Sequence, residues 1–358
     1  MKKYNQIYGK YSQGTGSWLD LRNFKDLKKN FLNKNIKESY QAQILQDLLR
    51  MGISKNIKKM NILDIGSGRQ AIAFEKLKAR KIDLIDISDF NINRFKKFKK
   101  KNKSKITPYQ MDICSDKFNN FDKKYDLIYL HGIIQHTENP VKAIRNLVAK
   151  LKPNGIMWFY FYQMGASKNL YLQLLRNIYY NSNVSQTEIL NFNPKNLNEI
   201  QIDGLLDDLL ADYVHIFPSS FYIEIFTALG LSTIYSKDIY DDLPSLRISA
   251  PSCLISLQRK SKLKSFNLKS FMKKQSEISI FDKSKYNSED KNLILKLKKI
   301  NDKIIKCIKN KKNNKKIIKS LLFIKRQMDL DYFLMPYNLK KKSLIDTFKV
   351  VFNEINTA

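Results

Sequence analysis

ILDIGSGRQ, residues 62–70, decides how this 358-residue chain is read. A short apolar run carries into Gly66-Ser67-Gly68, and a helix-forming stretch follows. A strand that ends in glycines before a helix lets backbone approach a ligand closely, because glycine lacks a Cβ and tolerates unusual dihedrals. The N–H groups opening that helix favour an anionic ligand group. Alone, the segment also satisfies the dinucleotide pattern G-x-G-x-x-A through Gly66, Gly68 and Ala71. Asp64 pulls away from that pattern. It stands two residues before the first glycine, where the dinucleotide fingerprint normally carries an apolar strand residue.

Around this segment, short apolar strands alternate with amphipathic helices, the βαβ rhythm of a parallel sheet. The spacing predicts strands at MNILDI (60–65), IDLIDI (82–87), KITPYQM (105–111), YDLIYL (125–130) and GIMWFYFY (155–162). A helix-rich stretch, 164–217, interrupts the rhythm. A helix over 221–229 follows, then two further strands, LSTIYSKDIY and SCLISLQRK. The fold expected is α/β, a Rossmann-like doubly wound sheet, mostly parallel with a final antiparallel strand.

Three regions follow from this pattern. Residues 1–58 read as a helical N-terminal lid, with apolar positions at helical spacing from Ile44 to Met51. Residues 59–258 form the central domain, with the helical insertion at about 164–217. Residues 259–358 read as a basic linker to about 290 and then a C-terminal helical hairpin. In that hairpin Leu293, Leu297, Ile300, Ile304 and Ile308 share one helix face, a second apolar helix spans 315–328, and KNKKNN (309–314) separates the two. The hairpin is a candidate surface for homo-oligomers.

Composition narrows the classes. A hydrophobic content of 43 % supports a real core. No run approaches the ~20 apolar residues of a membrane span, and the first residues carry no signal-peptide h-region. Three cysteines, far apart, form no metal-ligand spacing, and no metal is expected; they fit a reducing, cytoplasmic location. The net charge of +32 invites a nucleic-acid reading. Only ten of the 65 basic residues are arginine, whose planar fork suits phosphate. The excess lysine, with abundant Asn and Ile, is what an AT-rich genome encodes, so the expectation is a solvated lysine coat.

Residues 60–158 resemble the core of class I S-adenosylmethionine-dependent methyltransferases. Within these they resemble the small-molecule group with a "VLHHT-x-DP … LKPGG" signature, which reads here GIIQHTENPVKAIRNLVAKLKPNGIM (132–157). The resemblance implies S-adenosyl-L-methionine as cofactor, and it implies roles position by position. Asp64, Gly66, Ser67 and Gly68 fall on the loop holding the methionine half. Asp86, with Ile87 beside it, falls where a carboxylate accepts the ribose hydroxyls. Asp112 falls where the adenine amino group is bound, with Ile113 beside the ring. Leu130 and His131 fall on the fourth-strand segment beneath the cofactor. Three positions depart from the signature: Gln70 replaces a third glycine, Gln135 the first histidine, and Asn154 the first of the closing glycine pair.

Each residue also has a plainer reading: Asp86 a strand-end carboxylate, Asp112 a loop residue, Asp64 a brace for its own loop. Acceptor residues follow the substrate, because the protein mainly positions reactants for an already activated cofactor. Three stretches are candidates for the acceptor side: the leader with Tyr4, Tyr8, Tyr11 and Trp18, FYFYQMGASKNLYLQLLRNIYY (159–180), and 203–221. His215 is the candidate base there, and His136 a second candidate, each against a reading as a hydrogen-bonded turn histidine. The expected reaction is methyl transfer to oxygen or nitrogen of a small-molecule acceptor. An RNA methyltransferase using the cluster at 96–105, and a non-catalytic cofactor-binding scaffold, are the rival readings.

Overall fold

The computed structural model describes residues 44–53, 56–66, 68–192, 205, 208, 209, 211–237, 252–260, 266–310, 313–334 and 337–357. The leader aromatics and Ser67 lie outside them. Seven strands form one sheet: β1 (Asn61–Ile65), β2 (Lys81–Asp86), β3 (Thr107–Gln110), β4 (Tyr125–His131), β5 (Leu151–Tyr162), β6 (Leu231–Lys237) and β7 (Ser252–Arg259), in the order β3-β2-β1-β4-β5-β7-β6. β1, β2, β3, β4 and β5 pair in parallel, while β7 runs antiparallel between β5 and β6. The Rossmann-like order and the single reversed strand are those the sequence pattern predicts.

Alternation along each strand sends side chains into two cores. On one face Ile62, Leu84, Leu127, Tyr129 and Trp158 meet three helices, α1 (44–50), α2 (Arg69–Lys76) and α3 (Asp89–Asn102). On the other face Leu63, Ile85, Ile128, Leu130, Met157 and Phe159 meet α4 (Pro140–Ala149) and α7 (Ser219–Ala228). Pro140 opens α4 at a position that loses no intrahelical bond, and Asn139 caps it by accepting from the Lys142 amide at 2.9 Å. Within the first core the buried Asp47 of α1 accepts a hydrogen bond from the Tyr129 hydroxyl at 2.8 Å and pairs with Arg50 at 3.3 Å.

A third core lies away from the sheet. It joins the insertion helices α5 (Ser167–Tyr180) and α6 (Gln186–Asn191) to α9 (Ser288–Asn310), α10 (Asn314–Leu334) and α11 (Tyr337–Asn356). Leu170, Leu174 and Ile178 of α5 are buried with Ile318, Leu321 and Met328 of α10 and with Leu344, Phe348 and Val351 of α11. Two features differ from the sequence expectation. The stretch read as linker contains a further helix, α8 (Leu268–Glu277), whose end reaches α4 through Gln275, which accepts from the Val141 amide at 3.2 Å. The expected two-helix hairpin is three helices, because Leu344, Phe348, Val351 and Ile355 continue the apolar face beyond 328. Among the described residues no helix is long and apolar enough to cross a membrane.

Leu321 sits fully buried in this shared core. Leu321→Ala should cost about 2–5 kcal/mol of stability in urea unfolding, the range for a large-to-small change at a packed site. A loss under about 0.5 kcal/mol would mean that α10 does not pack as described.

Candidate functional site

The winding of the sheet reverses between β1 and β4, so the carboxyl ends of β1, β2, β4 and β5 open on one crevice. The first turn into it is the glycine loop. Gly66 has φ of +120° and donates its amide to the Ile85 carbonyl at 2.8 Å. Gly68 caps α2 with φ of +84°, and a Cβ there would lie 2.6 Å from a Phe95 ring carbon and 2.8 Å from a Leu84 methyl. Left-handed backbone and this close approach of α3 each demand glycine.

Asp64, buried within β1, accepts from the Ala71 amide at 2.8 Å across the loop. That contact makes it a brace that sets the angle between β1 and α2. Asp86, half-buried, ends β2. Its carboxylate accepts from the Ser88 amide at 2.8 Å and the Asn91 side-chain amide at 3.0 Å. Asn91 was not singled out in the sequence; a carboxylate five residues before an amide on the following helix is the signal that finds it. Ile87 is half-buried beside Asp86, and its carbonyl accepts from the Gln110 side chain at 3.4 Å.

Asp112 lies two residues past β3 and accepts from the Cys114 amide at 2.8 Å. Ile113 is buried in the second core, and its carbonyl accepts from the Asn146 side chain at 3.0 Å. Leu130 is likewise fully buried, paired between Ile65 of β1 and Phe159 of β5. His131 is half-buried and stacks on Tyr160 of β5, with centroids 4.3 Å apart and planes 4° from parallel. The pairing His131↔Tyr160 across β4 and β5 brings Tyr160 beside His131. The parallel register thus sets Asp64, Asp86, Asp112 and His131 at or near the ends of four strands.

The two histidines tie the turn after β4 to the stretch 211–217. After Gly132 the chain turns through Ile133, whose side chain would touch a Cβ on Gly66, into Gln135, His136 and Thr137. The stretch Ala211–Phe217 lies on this turn. His136 Nδ1 bonds the Tyr213 carbonyl at 3.1 Å, His215 Nε2 bonds the Thr137 carbonyl at 3.0 Å, and the His215 amide donates to the Gln135 carbonyl at 2.8 Å. Each ring nitrogen that faces a carbonyl carries the proton. The Met164 amide, just beyond β5, donates to the Phe217 carbonyl at 3.0 Å and completes the seam. The Gln135 side chain is fully buried. Its amide nitrogen donates to the Gly132 carbonyl at 2.9 Å, while its Oε1 finds no partner among the described residues.

Burial pushes His136 down to about 4, with the Arg176 charge acting in the same direction against the Tyr213 carbonyl. Burial also lowers His215. Burial raises Asp47, in contrast, to about 6 despite the Tyr129 hydroxyl and Arg50. Among the described residues no group of His, Cys, Asp and Glu gathers as a metal site.

Residues 63–157 match a family model described as a methyltransferase domain. The ubiquinone biosynthesis O-methyltransferase of Rickettsia typhi is 31 % identical over 144 residues, covering 38 % of this chain and 57 % of its own length. The protein of the same name from Rickettsia canadensis is 38 % identical over 103 residues, 28 % of this chain and 42 % of its own. The chain therefore spans about half the length of the curated relatives it matches. Among solved structures, the N-methyltransferase NodS of Bradyrhizobium japonicum WM9, in complex with S-adenosyl-L-homocysteine, superposes with a TM-score of 0.37 at 17 % identity, covering 62 % of this chain and 88 % of that one.

The buried titrations predict a masked pH response. His136 is held below its ordinary 6.5, so between about pH 4 and 6.5 the unfolded chain holds a proton that the folded one lacks, and stability rises with pH. Asp47 is held above its ordinary 3.8, so between about pH 3.8 and 6 the folded chain holds the extra proton, and stability falls as pH rises. Each contribution is roughly 3 kcal/mol, and they oppose. Asp47→Asn keeps an acceptor for Tyr129 and removes one side of this balance. Urea midpoints of that variant should climb between pH 4.5 and 6.5 more steeply than those of the parent. Parallel profiles would show that Asp47 titrates normally.

Proposed function

We propose that this chain is an S-adenosylmethionine-dependent methyltransferase acting on an oxygen or nitrogen of a small molecule. The observation that supports the reading most directly is the coincidence of the methyltransferase-domain match, 63–157, with a glycine loop at a switch point flanked by Asp86 and Asp112 on the adjacent strand ends. The relatives' name, O-methyltransferase, favours a hydroxyl acceptor.

The residues present suit the cofactor. A half-buried carboxylate offers about four acceptor positions, and Asp86, aimed by Ser88 and Asn91, is matched to the two donors of a ribose diol. Gly66 and Gly68 leave backbone rather than side chain at the turn where the methionine half would pass. When bound, the group supplies a methyl on a sulfonium, already activated for in-line displacement. The task of the protein is then to orient the acceptor and shed water. Asp64 keeps β1 and α2 in register for this, and the stacked His131 and Tyr160 furnish a flat wall at the ends of β4 and β5. For a hydroxyl acceptor, His215 is the base we assign, with Nδ1 as the nitrogen that takes the acceptor's proton because Nε2 already donates to the Thr137 carbonyl; His136, lowered to about 4, serves to hold Tyr213.

Two measurements test this reading. Calorimetry should show binding of S-adenosylhomocysteine and none of NAD, with Asp86→Ala weakening the former by about 1.5–3 kcal/mol, the range for hydrogen bonds to a charged group. Unchanged affinity in a folded Asp86→Ala variant would remove Asp86 from the site. In an assay with labelled cofactor and small hydroxyl or amine acceptors, His215→Gln should lower kcat by about 10²–10⁴ and leave S-adenosylhomocysteine affinity unchanged. A kcat within about threefold of the parent would leave His215 with no proton to carry.

A further inference from the structure

The C-terminal helices pack in a core of their own with α5, yet one charged contact links them to the segment that lies on the turn after β4. Lys325 of α10 pairs with Asp208 at 3.1 Å, both side chains largely out of solvent, 9 % and 19 % exposed. Asp208 lies just before the stretch Ala211–Phe217, which is held from the same side by α5. The buried Arg176 guanidinium donates to the carbonyls of Asp208 at 3.1 Å, Leu209 at 3.4 Å and Asp212 at 3.4 Å, and the Tyr180 hydroxyl donates to the Ala211 carbonyl at 3.2 Å. From the other side the same stretch is tied to the turn after β4 through His136, His215 and the Gln135 carbonyl. Ala211–Phe217 is therefore a strap stretched between two bodies, the helical module and the carboxyl ends of β4 and β5.

We propose that Lys325 is a positioning residue for the acceptor side of the site, acting through Asp208 on the strap that presents Tyr213 and His215. Naming that side the acceptor side rests on the methyltransferase reading; the mechanical link does not. A buried ion pair adds little net stability, but removing one partner leaves an uncompensated charge, so the pair acts chiefly as a registry device. Arg176 grips backbone carbonyls and is indifferent to which side chains the strap carries. Lys325 grips a side chain, and so fixes the strap against sliding along α5. The helices after 286 thus supply the charged contact that holds the Asp208 side chain among the described residues.

The test uses the full chain and two probes, amide hydrogen exchange and calorimetric binding of S-adenosylhomocysteine. Lys325→Met and Asp208→Asn should each speed exchange in peptides covering 211–217 by about tenfold or more, while β1, β2 and β4 keep their protection. Lys325→Arg should restore protection at 211–217, because it keeps the charge and the reach. S-adenosylhomocysteine affinity should stay within about twofold of the parent in all three variants. The proposal falls if 211–217 exchanges at the parent rate in Lys325→Met, or if all strands lose protection together, which would make the pair a general stabiliser only. Should Lys325→Met fail to fold, Asp208→Asn against Lys325→Arg decides the same question. If S-adenosylhomocysteine fails to bind the parent protein, the methyltransferase reading falls, and the exchange pattern still decides the link.

Discussion

Parallel strands leave their carboxyl ends pointing one way, and where the winding reverses two neighbouring crossovers part and uncover those ends. Here the reversal lies between β1 and β4. Most of the molecule follows from that geometry. The glycine turn occupies the gap because only backbone without a Cβ fits between β1, Leu84 and Phe95. Asp86 lies where β2 stops, since one residue earlier its side chain would point to the opposite face. The turn at 133–137 closes the far side against Ile133, and the strap 211–217 is laid on it.

What was legible in the sequence is what local rules encode. ILDIGSGRQ announces strand, turn and helix in nine residues, and alternating apolar runs and helices announce a mostly parallel sheet before any pairing is known. The identity of Asp86 as a strand-end carboxylate follows from its place near the end of the apolar run IDLIDI. What was not legible is contact made across sequence. His131 and Tyr160 are 29 residues apart and meet only because β4 and β5 pair in one of several registers. Asn91 steers Asp86 through a side chain whose direction depends on how α3 starts. The third C-terminal helix carries a clear period at Leu344, Phe348, Val351 and Ile355, but its lysine-rich first turns resemble the polar stretches around it.

The histidines show how residue type and residue task separate. A histidine beside a predicted binding loop invites a role in proton transfer, and the same imidazole is a rigid, two-ended hydrogen-bonding tile. In this fold His136 and His215 cross-link two segments through opposite carbonyls, a reciprocal arrangement that spacing alone does not suggest. The low proton affinity of His136 is the cost of that use: a ring enclosed enough to hold a carbonyl firmly is too enclosed to charge easily. Of the pair, His215 is the one whose backbone and ring both serve the strap.

The shared core of α5 with α10 and α11 also bears on how the protein is made. The apolar face of α5 leaves the ribosome roughly 130 residues before α10 does, a delay on the order of ten seconds at ordinary rates of synthesis. Over that interval Leu170, Leu174 and Ile178 have no partner from the C-terminal helices, and in its first half β7 has yet to enter between β5 and β6. The nascent chain therefore passes through a stage with an open sheet edge beside a bare hydrophobic helix, two surfaces that self-associate. The dense lysine of the intervening segments gives that stage a strong like charge, which keeps neighbouring nascent chains apart until the last helices arrive.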